Sequence, residues 1–545
     1  MHKLYNNGGG QVYGKRPHIE TRGNRKVLMV HNSPFIMLAG EVHNSNASSA
    51  VYMEQVWQQA DELGMNSLLL PVSWEIVEPE EGKFDFTLVD ALIAQARRYG
   101  KRIGFLWFGS WKNAQCYYAP SWVKTDLNRF TRAEVIKGKH NVRAVHGMPY
   151  TTLSAFCRET MEADARAFAK LMEHIREADE TENTVICVQV ENETGLLGNG
   201  REHSALADEK FAGAVPEKLV CWLREHPEEL SEELSQAFRK EAAEGAGWEM
   251  VFGDMAEEVF TAFYTASFVN YVAAAGKKAY SLPMLANCWL DKGQKPGKYP
   301  SGGPVAKVMA VWKCAAPEID IIAPDIYVPY YCDVCSEYEQ KGNPLFIAEC
   351  ATHSYAGVRE IYSVGRHHAL CYSPFGFEDM GKPFTVMQGV LFGMDTEDEA
   401  LKTPQNPDEY RKINQMLQGL SPYLGEKYGS EDLQGTISER PEENTMNFGI
   451  WQFKTVFDSP FIRRNNGACL ILRTEENEFW AVVCGCSVEV SSTDEERPCV
   501  DYLSVEEGSF VNGEWTPGRR LNGDEITMML FEEPTMLRLR VFAYK

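Results

Sequence analysis

The sequence predicts an α/β chain, a (β/α)8 TIM barrel followed by a C-terminal all-β, sandwich-like domain. Between Lys26 and Cys371, short apolar runs alternate with stretches of 3.6-residue periodicity, the pattern of βα units around a closed parallel sheet. Beyond about Ser430 the period changes to two and tight turns punctuate the strands. With 545 residues, the chain can hold a barrel of roughly 250 to 400 residues and one smaller module. The expected division is an N-terminal extension over 1–25, a barrel over 26–429 and the β domain over 430–545.

Eight runs supply the barrel strands: 35–39, 67–72, 102–107, 184–190, 283–287, 319–326, 345–348 and 369–372. A hairpin partner at 27–30, with Asn32 and Ser33 at its turn, precedes the first. The first helix shows Met53, Val56, Trp57, Ala60 and Leu63 on one face and stops at Gly64. The second shows Val89, Leu92, Ile93 and Ala96 before Gly100, and the helix entering strand four buries Ala165, Phe168, Met172 and Ile175. Long connections at 108–150 and 194–248 are expected to shape a pocket. Residues 228–244 in the second read as a solvated, charged helix. The β domain is expected to use 468–473, 478–483, 487–490, 526–530 and 536–543, with hairpin turns at Asn512-Gly513 and Asn522-Gly523.

Composition narrows the chemistry. A formal net charge of −23 repels phosphate backbones and anionic lipid, which argues against nucleic-acid and membrane-surface partners and favours a neutral substrate. No run of 18 apolar residues suggests a spanning helix. The polar first 25 residues carry no apolar stretch of signal-peptide type, and the cysteines fall inside apolar runs, as buried free thiols do in a reducing cytoplasm. A cytoplasmic location is expected.

Barrels place their chemistry at the C-terminal ends of strands. Strand four ends in Val190-Glu191-Asn192-Glu193 and strand seven in Ile347-Ala348-Glu349. Two carboxyls facing each other across such a mouth, about 5 to 5.5 Å apart, are what retaining glycoside hydrolysis needs. One must be protonated to release the leaving oxygen, and the other ionised to attack the anomeric carbon.

The Asn-Glu after strand four and the lone Glu after strand seven resemble the signature of clan A glycoside hydrolases. Within the clan, Val188-Gln189-Val190-Glu191-Asn192-Glu193 is similar to the motif of family 35 β-galactosidases. The stretch from Pro71 through Trp74, Glu78-Pro79 and Gly82 to Phe86 resembles family 35 and family 42 enzymes. Phrases such as Ala323-Pro324-Asp325-Ile326-Tyr327 look like those of a bacterial family 35 branch with a small β-rich C-terminal domain. The resemblance covers about 30–374 and assigns the acid/base to Glu193 and the nucleophile to Glu349, with Glu191 in support. It departs at Thr194, where the family has Tyr, and at Trp111-Lys112-Asn113, which replaces a Cys-Ala-Glu-Trp element.

The activity so implied is exo-acting cleavage of terminal β-D-galactosides. Asn192 would bond the sugar 2-hydroxyl, and Tyr327 would donate to the nucleophile. Trp74, Trp107, Trp111, Trp289 and Tyr330 are candidate stacking platforms. Glu41, Asn44 and Asn113 are candidate partners for sugar hydroxyls. No metal or organic cofactor is called for, and the partner is a small carbohydrate, with a homo-oligomer possible through the β domain. A different β-glycoside, such as a glucoside, xyloside or plant glycoside, or a non-catalytic carbohydrate-binding role, are the rivals. Gly9 to Lys15 fits Gly-x4-Gly-Lys, but Arg16 follows in place of Ser or Thr and no strand precedes it. Cys332-x-x-Cys335 lacks the second pair a zinc site needs.

Overall fold

The computed structural model describes residues 15–545 apart from 24, 141, 144–148, 341, 393, 395–401 and 512. The glycine-rich stretch before Lys15, with its nucleotide-loop spacing, lies outside the described residues. Eight parallel strands close into a barrel in sequential order. They are β1 (Met37–Glu41), β2 (Ser67–Ser73), β3 (Arg102–Lys112), β4 (Val185–Asn192), β5 (Met284–Trp289), β6 (Ile321–Ile326), β7 (Phe346–Cys350) and β8 (Cys371–Pro374). Each expected run contributes one strand. Most extend a few residues further toward the C-terminal mouth, because ladder pairing continues past the last apolar side chain into polar residues that line the pocket.

The barrel interior is packed by Met37, Ala39, Leu69, Leu106, Ile186, Leu285, Ala323, Phe346 and Ala348, and Leu28 and Val30 of the N-terminal hairpin join the same cluster. That hairpin turns at His31 and Asn32, both at positive φ. Its strand Arg25–Val30 pairs with Ser33–Pro34 on one side and with His18–Arg22 on the other. The helical stripes read from the sequence are buried against the outer face of the sheet: Met53, Val56, Trp57 and Ala60 in one helix, Ala165, Phe168, Met172 and Ile175 in another.

The charged stretch 228–244 departs from expectation. Only Glu232–Ala237 is α-helical, with Leu234 buried. Glu229 pairs with Lys313. The segment is pinned to the barrel and is not a free solvated helix.

The C-terminal region is a two-sheet sandwich, one sheet of six strands and one of four. Met446, Phe453, Phe479, Val483, Leu537 and Leu539 are among the side chains of the core between them. Four strands at 468–475, 478–484, 486–492 and 535–544 answer to expected runs. The fifth, 526–530, is instead a short helix, Asp524–Met528, leading into a two-residue strand, so Asn522-Gly523 enters a helix and closes no hairpin. Val511 does pair with Glu514 across the other expected turn. Cys499–Val511 and Glu514–Leu521 each bury a single residue fully, which leaves no run of buried apolar positions to read.

The sandwich is docked on the barrel. Helix Ala356–His367, which follows β7, packs against strands Leu433–Ile437 and Ala468–Glu475. The approach needs glycine on both sides, since a Cβ on Gly365 would lie 3.2 Å from the Gly435 Cα. Buried Arg359 spans the junction with two hydrogen bonds to Glu439, of 2.9 and 2.6 Å. The helix after β7 thus ties the strand bearing Glu349 to the second domain.

Candidate active site

The mouth of the barrel is built where three neighbouring strand ends bend. Glu191 and Glu193 take positive φ, +64° and +45°, a conformation that costs a non-glycine residue on the order of 1–3 kcal/mol. Hydrogen bonds hold it: the Trp111 N–H donates to Glu191 Oε2 (2.7 Å), the Glu193 N–H to Asn287 Oδ1 (3.0 Å) and the Ala114 N–H to the Glu193 carbonyl (3.0 Å). The result places Glu191 toward the sheet interior and Glu193 in the well.

Beside it, the ladder between β3 and β4 slips between Trp107 and Lys112, so that Lys112 opposes Asn192. Lys112 Nζ donates to Asn192 Oδ1 at 3.0 Å, and Asn113 Nδ2 donates to Glu193 Oε2 at 2.5 Å. With its oxygen taken by the lysine, the Asn192 amide has its Nδ2 group left without a protein acceptor. Burial disfavours the Lys112 charge, but Glu349, Glu193, Glu41 and Asp325 together outweigh it and hold the ammonium above its ordinary pKa.

Across the well, Asp325 of β6 and Glu349 of β7 are register neighbours. One carboxyl oxygen from each of Glu193, Asp325 and Glu349 lies within 4.8 Å of the others. Tyr327 Oη donates to Glu349 Oε2 at 2.7 Å, while Glu349 Oε1 has no donor among the described residues. Burial, then the charge of Glu349, pushes Glu193 up to about 7, with Lys112 opposing. Asp325 is pushed well above the carboxylate range by burial and by Glu349 and Glu193. Glu41, at the end of β1, is fully buried with no donor on either oxygen. Burial and Glu349 drive it up as well, against Lys112.

Beneath Glu193 lies a second acid pair. Asp164 accepts from Trp107 Nε1 (2.8 Å), the Ser110 N–H (2.9 Å) and Ser110 Oγ (2.5 Å). Burial raises both Asp164 and the neighbouring Glu191 carboxyl, the latter also through the Asp164 charge. This pair clamps 110–111 to the end of β4 and so sets the position of Lys112 and Asn113.

Glu41, Asn113, Asn192, Glu193, Tyr327 and Glu349 therefore converge through hydrogen bonds or close charge contact. Asn44 lies at the end of the β1 loop, half-buried, with its Oδ1 lacking a donor, and Trp289 is partly exposed at the end of β5. Trp74 and Trp111 are both enclosed by protein. Trp74 is enclosed, its N–H bonded to Glu78 Oε2 (2.8 Å) and its ring set edge-on to Trp122. Trp111 is buried against Phe268.

Lys112, Asp325 and Asn287 were missed as site residues. Their signal was polar residues at the C-terminal ends of apolar strand runs. Cys332 and Cys335 are buried in one helix, Tyr331–Tyr338. Among the described residues, the group of three possible ligand side chains close enough to share an ion is the carboxyl trio of the well.

Residues 44–242 match the sequence profile of glycoside hydrolase family 42, described as β-galactosidase. The chain resembles the β-galactosidases of clan A. Residues 410–531, spanning the helix Pro407–Lys427 and most of the sandwich, match a domain of unknown function, DUF5597. A β-galactosidase of Xanthomonas manihotis is 27% identical over 182 residues, 32% of this chain and 26% of that protein. Among solved structures, the β-galactosidase of Bacillus circulans sp. alkalophilus aligns at 14% identity over 71% of this chain and 57% of its own, with a TM-score of 0.43. That of Rahnella sp. R3 aligns at 14% identity over 72% and 57%, with a TM-score of 0.45. The chain spans about a quarter of the curated relative (26%) and 57% of these solved chains.

Proposed function

We propose that this chain is a retaining, exo-acting glycoside hydrolase that releases terminal β-D-galactose by double displacement. The observation that carries the proposal is the pairing of Glu193 and Glu349, oxygens within 4.8 Å, in unlike surroundings. Glu193 is held up to about 7, suited to carry a proton near neutrality. Glu349 has one oxygen bonded by Tyr327 and the other open, as an attacking carboxylate requires.

In the first step Glu349 Oε1 attacks the anomeric carbon while Glu193 protonates the departing oxygen. In the second, Glu193 takes a proton from water, whose oxygen displaces Glu349 and frees the sugar. The free Asn192 Nδ2 bonds the 2-hydroxyl, and Glu41 accepts from hydroxyls deeper in the well. Galactose is favoured by the family 42 match over 44–242. The sandwich packs on the barrel and supplies no acid pair to this chemistry. The fourteen free cysteines, among them buried Cys187, Cys288 and Cys371, support a reducing, cytoplasmic setting.

A panel of 4-nitrophenyl β-glycosides tests the sugar: fastest release from the galactoside is expected, and faster release from the glucoside or xyloside would transfer the assignment. A 2-fluoro galactoside should label Glu349, and label elsewhere would refute the nucleophile. Glu349→Gln should silence turnover while retaining sugar binding.

A further inference from the structure

One buried carboxyl in the well has no part in the scheme above. Asp325 stands beside Glu349 in the β6–β7 register, with an oxygen within 4.8 Å of oxygens of both Glu349 and Glu193. Asn287 brackets it from β5: its Nδ2 donates to Asp325 Oδ2 at 2.8 Å, and its Oδ1 accepts the Glu193 backbone N–H at 3.0 Å. The same amide therefore sets the spacing between Asp325 and Glu193. Among the described residues no N–H or hydroxyl reaches Asp325 Oδ1, while the Asp325 carboxyl keeps an oxygen within 4.8 Å of a Glu193 oxygen. Two carboxyls meet in this way in a dry pocket only with a proton between them, since paired anions repel.

The surrounding charges agree. Facing Asp325 are Glu349 on β7, Glu193 on β4, Cys288 on β5 and Glu41 at the end of β1, with Tyr327 beyond it on β6. Lys112 is the fully buried cation set against these acids. Lys292 also faces Glu193, so two lysines stand against four carboxyls and the four cannot all be ionised.

We propose that Asp325 is a positioning residue for the acid/base: it remains a neutral carboxylic acid and donates a hydrogen bond to Glu193. This rests on the assignment of Glu193 made above. As the bond from C1 to the aglycone oxygen breaks and C1 bonds to Glu349, the proton of Glu193 passes to the leaving oxygen. Asp325 keeps its own proton, and its bond to Glu193 becomes charge-assisted at the moment Glu193 turns anionic. In the second step water gives a proton to Glu193 and its oxygen to C1, the bond from C1 to Glu349 breaks, and the Asp325 proton is again unmoved.

The test uses the full chain carrying Asp325→Asn or Asp325→Ala, with thermal melts to verify folding. It reads the pH dependence of kcat/KM on methyl β-galactoside, whose departure needs an acid, and on the 2,4-dinitrophenyl galactoside, whose departure does not. The asparagine amide can still donate, so Asp325→Asn should keep the wild-type basic limb and lose less than about tenfold, well inside the range of general acid catalysis. Asp325→Ala should lose about 100-fold on the methyl glycoside and far less on the dinitrophenyl one, with its basic limb moved to higher pH. A basic limb moved to lower pH in both variants would mean that Asp325 acts as an anion, and would overturn the proposal. So would an Asp325→Ala variant with an unmoved limb and equal losses on the two substrates. If the alanine variant does not fold, the direction of the limb in Asp325→Asn decides alone. If wild type cleaves no glycoside, the hydrolase assignment falls and takes this inference with it. If Glu349→Gln silences an active wild type and the Asp325 variants fail as described, the inference falls alone.

Discussion

Tyr327 Oη donates to Glu349 Oε2 at 2.7 Å, while Glu349 Oε1 meets no donor from the protein. The two oxygens of one carboxylate are thereby made unequal, one anchored and one buried without a donor. Tyr327 is itself held by stacking on Phe392, ring centres 5.0 Å apart and planes 7° from parallel.

Tyr327→Phe should keep the ring stacking and lose the anchor. A hydrogen bond to a charged group is worth about 1.5–3 kcal/mol, so kcat should fall by roughly 10- to 100-fold with KM little changed. Steady-state kinetics on the nitrophenyl galactoside read the split, and a rise in KM alone would assign Tyr327 to sugar binding.

The pH dependence follows from Glu193. As general acid it works protonated, so activity should fall as the pH rises through about 7, the value to which burial and then Glu349 push it. Glu193→Gln should abolish this basic limb and cost about 100- to 10,000-fold on substrates with poor leaving groups. Added azide should restore release from dinitrophenyl glycosides. A basic limb that survives in Glu193→Gln would move the acid role to another group.

Lys112→Met should damage the site in two ways. It removes the donor that fixes the Asn192 amide, and it removes the charge that lowers Glu193. The expected result is a loss of kcat/KM on the order of 100-fold, as for a buried charge-assisted bond, with the basic limb displaced to higher pH. An undisplaced limb would show that Lys112 has no electrical influence on Glu193.

A stability prediction concerns Glu202, away from the chemistry. Burial raises it from 4.5 to about 7 despite hydrogen bonds from Ser154 to both its oxygens, 2.8 and 2.9 Å. The folded state thus holds this proton more tightly than the unfolded chain. The stabilising contribution is full below the unfolded pKa and is lost as the pH rises through about 7. The difference is on the order of 3 kcal/mol, and Glu202→Gln should flatten that part of the pH dependence of Tm. An unchanged slope would place the proton elsewhere.

Much of the barrel was legible because its period is a local property. Eight apolar runs and the stripes between them follow from which side chains must leave water, and a parallel strand buried on both faces reads as a continuous apolar run. The two catalytic candidates were legible for the same reason, each being the carboxylate just past such a run. The small helix at 524–528 and the strands at 499–511 and 514–521 were not, since edge and surface elements bury too little to impose a period.

What the sequence determined alone is therefore the order of strands, the identity of the buried stripes, and Glu193 and Glu349 at two strand mouths. Tertiary structure decided which neighbours those carboxyls meet. The slip in the β3–β4 ladder brings Lys112 onto Asn192, the register of β6 with β7 sets Asp325 beside Glu349, and core packing encloses Trp74 and Trp111. The physical reason is that charges and hydrogen bonds in the mouth depend on distances of a few ångströms between residues some 20 to 300 positions apart in the chain. Such distances are set by ladder register and barrel closure, which no local pattern of residues encodes.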